Sequence, residues 1–209
     1  MEQKAEFKVF DRRNYLKDKD FFIKSWCAIV APYELGRFNS GSPLFKKFGI
    51  EYQWNYQVDN DCLPIEYWNK LNDRQKKQLN EYNLKWQEEG FDWFFSQEKE
   101  NKDEFYKDEI SQFYIILYVD DKPVAESGFV ILKDKSAIIH GLETVPDERK
   151  KGYASLVVQK GIEVLKNMGI IKIKSRVSKK NESSIILHER NLFNIDNENE
   201  RSYFFGKEI

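Results

Sequence analysis

The feature that most constrains this chain is three apolar runs separated by two short polar turns, followed by a glycine turn and a long amphipathic stretch. Phe113–Val119, Val124–Leu132 and Ala137–Val145 each have strand length. The breaks at Asp120-Asp-Lys-Pro123 and Lys133-Asp-Lys135 suit hairpins, so the three runs read as an antiparallel meander. From Gly152 to Met168, Val157, Gly161, Val164, Leu165 and Met168 recur on one helical face, and Gly169 stops the helix. A strand from Ile170 to Val177 follows, with Ile171, Ile173 and Val177 alternating against Lys172, Lys174 and Arg176. Asn181–Arg190 reads as a short helix and Ser202–Phe205 as a last strand.

The N-terminal half is less regular. Phe7–Phe10 reads as a strand, and Tyr15, Leu16, Phe22, Ile23 and Trp26 fall at roughly helical spacing. From about Leu35 the character changes: Gly36, Gly41 and Pro43 break the chain, then Pro64–Glu100 looks helical, with Trp68, Leu71, Leu79, Tyr82, Leu84, Trp86, Phe91, Trp93 and Phe94 on its apolar face. We read residues 1–209 as one domain, with residues 35–110 as a helical, aromatic-rich insertion. A chain of 209 residues with 41% hydrophobic content can bury such a core.

Composition excludes several function classes. The net charge of −1 gives no global field toward nucleic acid or an anionic membrane, so neither is expected as a partner. Cys27 and Cys62 are far apart and form no C-x-x-C pair, which argues against a zinc site or a disulfide scaffold and for a reducing, cytoplasmic setting. The charged start and short apolar runs predict an unexported chain without a membrane span.

The strand-to-helix junction Pro146-Asp-Glu-Arg149-Lys150-Lys151-Gly152-Tyr153-Ala154 carries the chemistry. The first N–H groups of a helix have no internal partner and carry the positive end of its dipole, so they complement phosphate oxygens. Gly152 admits close approach and Ala154 keeps the first turn open. Neither a G-x-G-x-x-G nor a G-x-x-x-x-G-K-[ST] loop is present. Between Arg149 and Lys180 ten basic residues stand against one acid, Glu163, which reads as positive charge gathered near an anion; a solvated face is the alternative.

Arg149-Lys-Lys-Gly152-Tyr-Ala154 resembles the [Q/R]-x-x-G-x-[G/A] pyrophosphate signature of the GNAT acetyltransferase family, Leu142-Glu-Thr-Val-Pro146 resembles its fourth strand, and Asn181 to Phe193 is similar to its N-x-x-[AS]-x-x-L-Y-x-x-x-G-F segment. The likeness runs from about Phe113 to Phe205, and loosely over Phe7–Trp26. It implies an α+β fold with a mostly antiparallel, centrally splayed sheet flanked by helices, and acetyl-CoA or another acyl-CoA as co-substrate, without a metal. The opening is expected around Leu142 and Ile173. Arg149, Lys150, Lys151, Gly152, Tyr153 and Ala154 would hold the phosphates. The main chain of Leu142, Glu143 and Thr144 would hold the pantetheine arm and polarise the thioester carbonyl, and Asn181, which would hydrogen-bond the pantetheine region, and Ser184 would be further cofactor-binding residues. Asn181 is equally an ordinary helix N-cap.

Acyl transfer to an amine needs a base for the ammonium and suits an acid for the leaving thiolate. His140, at a position where some family members place a catalytic histidine, is the candidate base, and Glu143 the weaker one. By strict alternation His140, Leu142 and Thr144 share one face and Glu143 the other. His188 stands where the family usually has the tyrosine that protonates the thiolate, and is either that acid or a structural residue.

Acids and aromatic residues interleave from Lys85 to Glu109, suggesting a wall for a cationic amine. The acceptor is read as a small amine or a protein amine, and the chain as a monomer or homodimer. An active N-acyltransferase is the leading reading; the alternatives are a GNAT-like module that binds acyl-CoA without turnover and an interaction protein with no cofactor. Acylation of a tRNA-borne amine fits the neutral charge poorly.

Overall fold

A computed structural model describes residues 4–30, 43–50, 65–96 and 104–209. Strand β1 (Ala5–Asp11) leads into α1 (Arg12–Lys17) and α2 (Lys19–Val30). Two short helices, α3 (Pro43–Lys47) and α4 (Ile65–Trp68), precede α5 (Asp73–Phe94). A single 3-10 turn, Glu104–Tyr106, then leads to the meander β2 (Glu109–Val119), β3 (Lys122–Leu132) and β4 (Ser136–Thr144). Helix α6 (Tyr153–Asn167), β5 (Lys172–Ser178), α7 (Glu182–Arg190), β6 (Asn194–Glu198) and β7 (Ser202–Glu208) complete the chain. Strand β6 was not anticipated: all five of its residues are exposed, so it carries no apolar alternation to read.

The seven strands form one sheet in the order β1-β2-β3-β4-β5-β7-β6. Only β4 and β5 run parallel. This is the expected α+β architecture with a mostly antiparallel sheet, and the opening lies where it must for a parallel pair with few rungs. β4 and β5 pair only through Ser136–Lys172, Ala137–Ile173 and Ile138–Lys174. Ile173 therefore sits in the closed end, and the gap lies between the later parts of the two strands.

The β2–β3 connection shows why local sequence suffices for the meander. Asp120 and Asp121 have φ of 48° and 63°, and Val119 pairs with Lys122, which makes a two-residue turn whose twist suits a hairpin. Both faces of β2 and β3 are buried, so their runs are continuously apolar rather than alternating. On one face Ile115, Leu117 and Phe129 pack against Val157, Val158 and Leu165 of α6. On the other, Tyr114, Ile116 and Val130 pack against Phe22, Trp26 and Ile29 of α2 and Phe91, Phe94 and Phe95 at the end of α5. Met168 and Ile171, read as apolar-face residues, are instead 51% and 55% exposed at the α6–β5 turn.

Asn72 and Gln75 close α5 at its start with a reciprocal capping box, each side chain bonding the other's backbone N–H at 3.0 Å. The helix is tied to α1 and α2 by polar contacts: the Tyr15 hydroxyl donates to Asp92 at 2.7 Å, and Lys19 pairs with Glu88 and Asp92. The proposed acidic and aromatic wall is divided by these contacts. Asp92 and Glu88 serve the fold, Phe91 and Phe94 are core, and Trp86 and Trp93 remain exposed. Gly36, Gly41, Cys62, Pro64, Glu98, Glu100 and Asp103 lie outside the described residues. No helix among the described residues is long and apolar enough to cross a membrane.

Candidate active site

Two segments meet where the sheet opens, the end of β4 and the turn into α6, and Asn191 at the C-terminal end of α7 donates to Ser155 in the first turn of α6 at 3.0 Å. After β4 the chain makes a 3-10 turn at Pro146–Glu148, passes through Arg149 in an extended conformation, and enters α6 through Lys150 at φ 64° and Gly152 at φ 87°. Gly152 is the N-cap, and no side chain caps the helix. The N–H groups of Tyr153, Ala154 and Ser155 thus lack intrahelical acceptors. Among the described residues a Cβ built on Gly152 meets nothing within 4 Å, so they leave the space above the turn open. An uncapped N-terminus beneath open space suits an anion, and the short side chain of Ala154 leaves that approach clear.

The side chains around this turn are mostly committed elsewhere. Tyr153 is buried against the α6 core, so it offers its backbone only. The Arg149 Nε donates to the Thr144 carbonyl at 3.3 Å, bracing the turn against β4, and Lys151 pairs with Glu148 at 2.8 Å. The run of basic residues is similarly divided. Lys160 pairs with Glu163, Lys172 with Asp196, Lys174 with Asp134 and Lys179 with Glu198. Three of these four partners come from outside the stretch in which the lysines were counted. Half of the ten basic residues are thus paired with acids, and the features that suit an anion are the helix terminus together with exposed Lys150.

Strict alternation along β4 fails at Gly141. Ser127 pairs with Leu142 and Gly128 pairs with His140, so Gly141 is one extra residue, a bulge, with φ 71°. The bulge reverses the predicted facing. Glu143 pairs with Glu126, two residues from Gly128 on β3, so His140 and Glu143 share the α2 side of the sheet. Leu142 packs with the α6 core, and Thr144 follows it to that side. A lone glycine inside a strand pattern is a bulge signal, and it was there to be read.

His140 is half-buried and held on two sides. Phe94 stacks on its ring at 5.1 Å and 27°, while Tyr106 meets it edge-on with its hydroxyl 3.3 Å from Nδ1. Tyr106 belongs to the 3-10 turn, whose neighbour Phe105 reaches across to Phe204 of β7 and lies under the Arg176 guanidinium of β5. That turn therefore touches both halves of the splayed sheet on the His140 side. Glu126, 1% exposed, sits below with Tyr114: its Oε1 and the Tyr114 hydroxyl lie 3.8 and 3.9 Å from where a Cβ on Gly141 would be. No pattern in the sequence linked Phe94, Tyr106 or Glu126 to His140, because they reach it from α5, the 3-10 turn and β3.

His188 lies on the opposite face and inside. It is 3% exposed, stacked on Phe205 at 5.0 Å and edge-on to Phe193 at 5.2 Å. Its Nδ1 lies 2.7 Å from the Ser184 carbonyl, which only accepts, so Nδ1 carries the proton. Among the described residues Nε2 is buried without a hydrogen-bond partner, and burial pushes the imidazole below its ordinary pKa. A neutral ring with its one proton committed has none to give a thiolate. These contacts support the structural reading of His188. The Asn181 side chain accepts from the Ser184 N–H at 3.1 Å, which makes it the N-cap of α7.

Comparison with known proteins places this geometry. The sequence pattern of the acetyltransferase (GNAT) family matches residues 79–192, from the middle of α5 to the end of α7. Among solved structures, the PaiA N-acetyltransferase of Thermoplasma acidophilum, in complex with coenzyme A, aligns over 99% of this chain and 99% of its own, with a TM-score of 0.52 and 13% identity. The ribosomal-protein-S18-alanine N-acetyltransferase of Escherichia coli aligns over 99% and 94%, with a TM-score of 0.51 and 11% identity. At such identities the likeness speaks to the fold alone. No protein of curated function matches this chain.

Proposed function

Because this chain belongs to the acetyltransferase (GNAT) family, we propose that it moves an acetyl or other short acyl group from acyl-CoA to an amine by direct attack. One observation carries the reading: a sheet that opens beside an uncapped helix N-terminus, entered through a glycine at φ 87° with open space above it. The backbone of Lys150 to Ala154 would receive the pyrophosphate, with the Lys150 side chain as a further cation. The main chain of Leu142, Glu143 and Thr144, at the edge of the opening, would hold the pantetheine arm and orient the thioester carbonyl. Bound acyl-CoA supplies the activated acyl group.

On the α2 face of the sheet beside the opening, His140 takes the proton from the acceptor amine, with Glu143 next to it on the same face. The acceptor enters from the side lined by Phe94 and Tyr106, an approach that suits a small amine or the terminus of a peptide. We place the activity in a reducing cytoplasm, as the cysteine spacing suggests. Binding without turnover is the second reading, and His188 favours it, since this group at the usual acid position has no proton to donate.

Calorimetric titration of acetyl-CoA into the protein tests the site, and CoA thiol release across an amine panel tests turnover. Micromolar binding with release supports the transferase. Binding without release from any amine supports the second reading, and no binding to the folded protein removes both.

A further inference from the structure

The contact between Tyr106 and His140 has a direction that chemistry can assign. A neutral phenol is a good donor and a poor acceptor, and an unprotonated imidazole nitrogen is a good acceptor. At 3.3 Å the bond therefore runs from the Tyr106 hydroxyl to His140 Nδ1, which leaves the ring proton on Nε2. In that tautomer the only lone pair with which His140 can take a proton is the one facing Tyr106. Phe94 stacked on its face and Tyr106 at its edge support the ring in this orientation.

Tyr106 also stands on the accessible side. It lines an open surface cavity together with Arg12, Arg13, Lys107 and Glu109, and among the described residues His140 is not part of that lining. A relay through Tyr106 would have the acceptor amine reach the phenol from this cavity. Among the described residues the other charged or titratable groups on this face include Tyr114 and Tyr118 of β2, Glu126 of β3, Glu143 of β4, Arg176 of β5, Tyr15 of α1 and, on α2, Cys27, whose thiol burial pushes up to about 11.

We propose that Tyr106 is a catalytic residue, a proton relay between the acceptor amine and His140. As the amine nitrogen bonds to the acyl carbon and the carbon–sulfur bond breaks, an N–H proton passes to Tyr106 Oη. The Oη proton passes to His140 Nδ1, leaving a neutral phenol and an imidazolium, and the thiolate departs with the electron pair of the broken bond. The imidazolium then loses its proton to solvent. This relay rests on the reading of His140 as base.

The test uses the whole chain, which holds only two histidines. Nitrogen-15 NMR of the imidazoles should show His140 protonated at Nε2 with Nδ1 accepting a hydrogen bond, and His188 protonated at Nδ1 as an internal contrast. In Tyr106→Phe, which keeps the edge-on ring, the His140 Nδ1 signal should move to that of a nitrogen without a donor, while the His188 signals stay. CoA release from acetyl-CoA, with the panel amine turned over fastest or with water where none is, should fall about a hundredfold in Tyr106→Phe. Acetyl-CoA affinity should be unchanged, and adding Tyr106→Phe to His140→Ala should cause no further loss. Finding His140 protonated at Nδ1 overturns the relay, since Tyr106 is then an acceptor. So does a Tyr106→Phe rate within about twofold of the parent while His140→Ala is impaired. If His140→Ala is as active as the parent, it is the reading of His140 as base that has failed.

Discussion

Gly152 gives the sharpest test of the phosphate turn, through the pair Gly152→Asn and Gly152→Asp. At φ 87° any side chain is strained, by about 1–2 kcal/mol for most residues and less for Asn and Asp, which visit this region most readily. With nothing within 4 Å of the added Cβ, neither variant adds a packing clash. The Asn variant should therefore lose about 1 kcal/mol, or about 2–4 °C in Tm for a chain of this size, and the Asp variant somewhat less, because its carboxylate is favoured at a helix N-terminus. They differ in one negative charge at the helix terminus. For a carboxylate about 5 Å from one phosphate charge, the repulsion is about 3 kcal/mol at an effective dielectric of about 20 and about 1 kcal/mol in bulk water. Calorimetry with acetyl-CoA should thus give an Asp Kd about 5- to 150-fold weaker than the Asn Kd, and the gap should narrow at about 1 M salt as screening shortens. Equal affinities in the two variants at low salt would mean that no phosphate lies at this turn.

Further predictions concern the frame around the site. A methyl on Gly161 would overlap the Phe129 ring where α6 crosses the sheet, so Gly161→Ala should destabilise by about 1–3 kcal/mol despite its better helix propensity, seen as a lower denaturant midpoint. Tyr15→Phe removes the hydroxyl that holds Asp92; because that carboxylate is nearly half exposed and keeps Lys19, the expected loss is only about 1 kcal/mol in urea unfolding. For His188, burial holds the folded imidazole below its ordinary 6.5, so the unfolded chain binds the proton first. Its contribution to stability is present above that ordinary value and is lost as pH falls through the folded value. Scanning Tm from about pH 7.5 to about pH 5 should show a decline that is flatter in His188→Phe; identical slopes would contradict the burial argument.

Local chemistry made part of this protein readable from its sequence. The meander, α6 and the glycine turn follow from short-range rules: two aspartates tolerate the left-handed hairpin turn, apolar residues recur at helical spacing, and Gly152 supplies a conformation that other residues resist. The family signature lies in the same contiguous stretch, which is why fold and family were legible together. What failed was alternation across Gly141, where one extra residue turned Glu143 to the side of His140 and sent Leu142 and Thr144 to the other. The remaining decisions belonged to tertiary structure, because they pair residues far apart in the chain. Phe94 and Tyr106 reach His140 from 46 and 34 positions away. Asp134, Asp196 and Glu198 neutralise lysines that had looked like a cationic field. That His188 lies in the core depended on Phe193 and Phe205 closing around it, and burial and a backbone carbonyl, rather than residue type, govern which proton an imidazole can give.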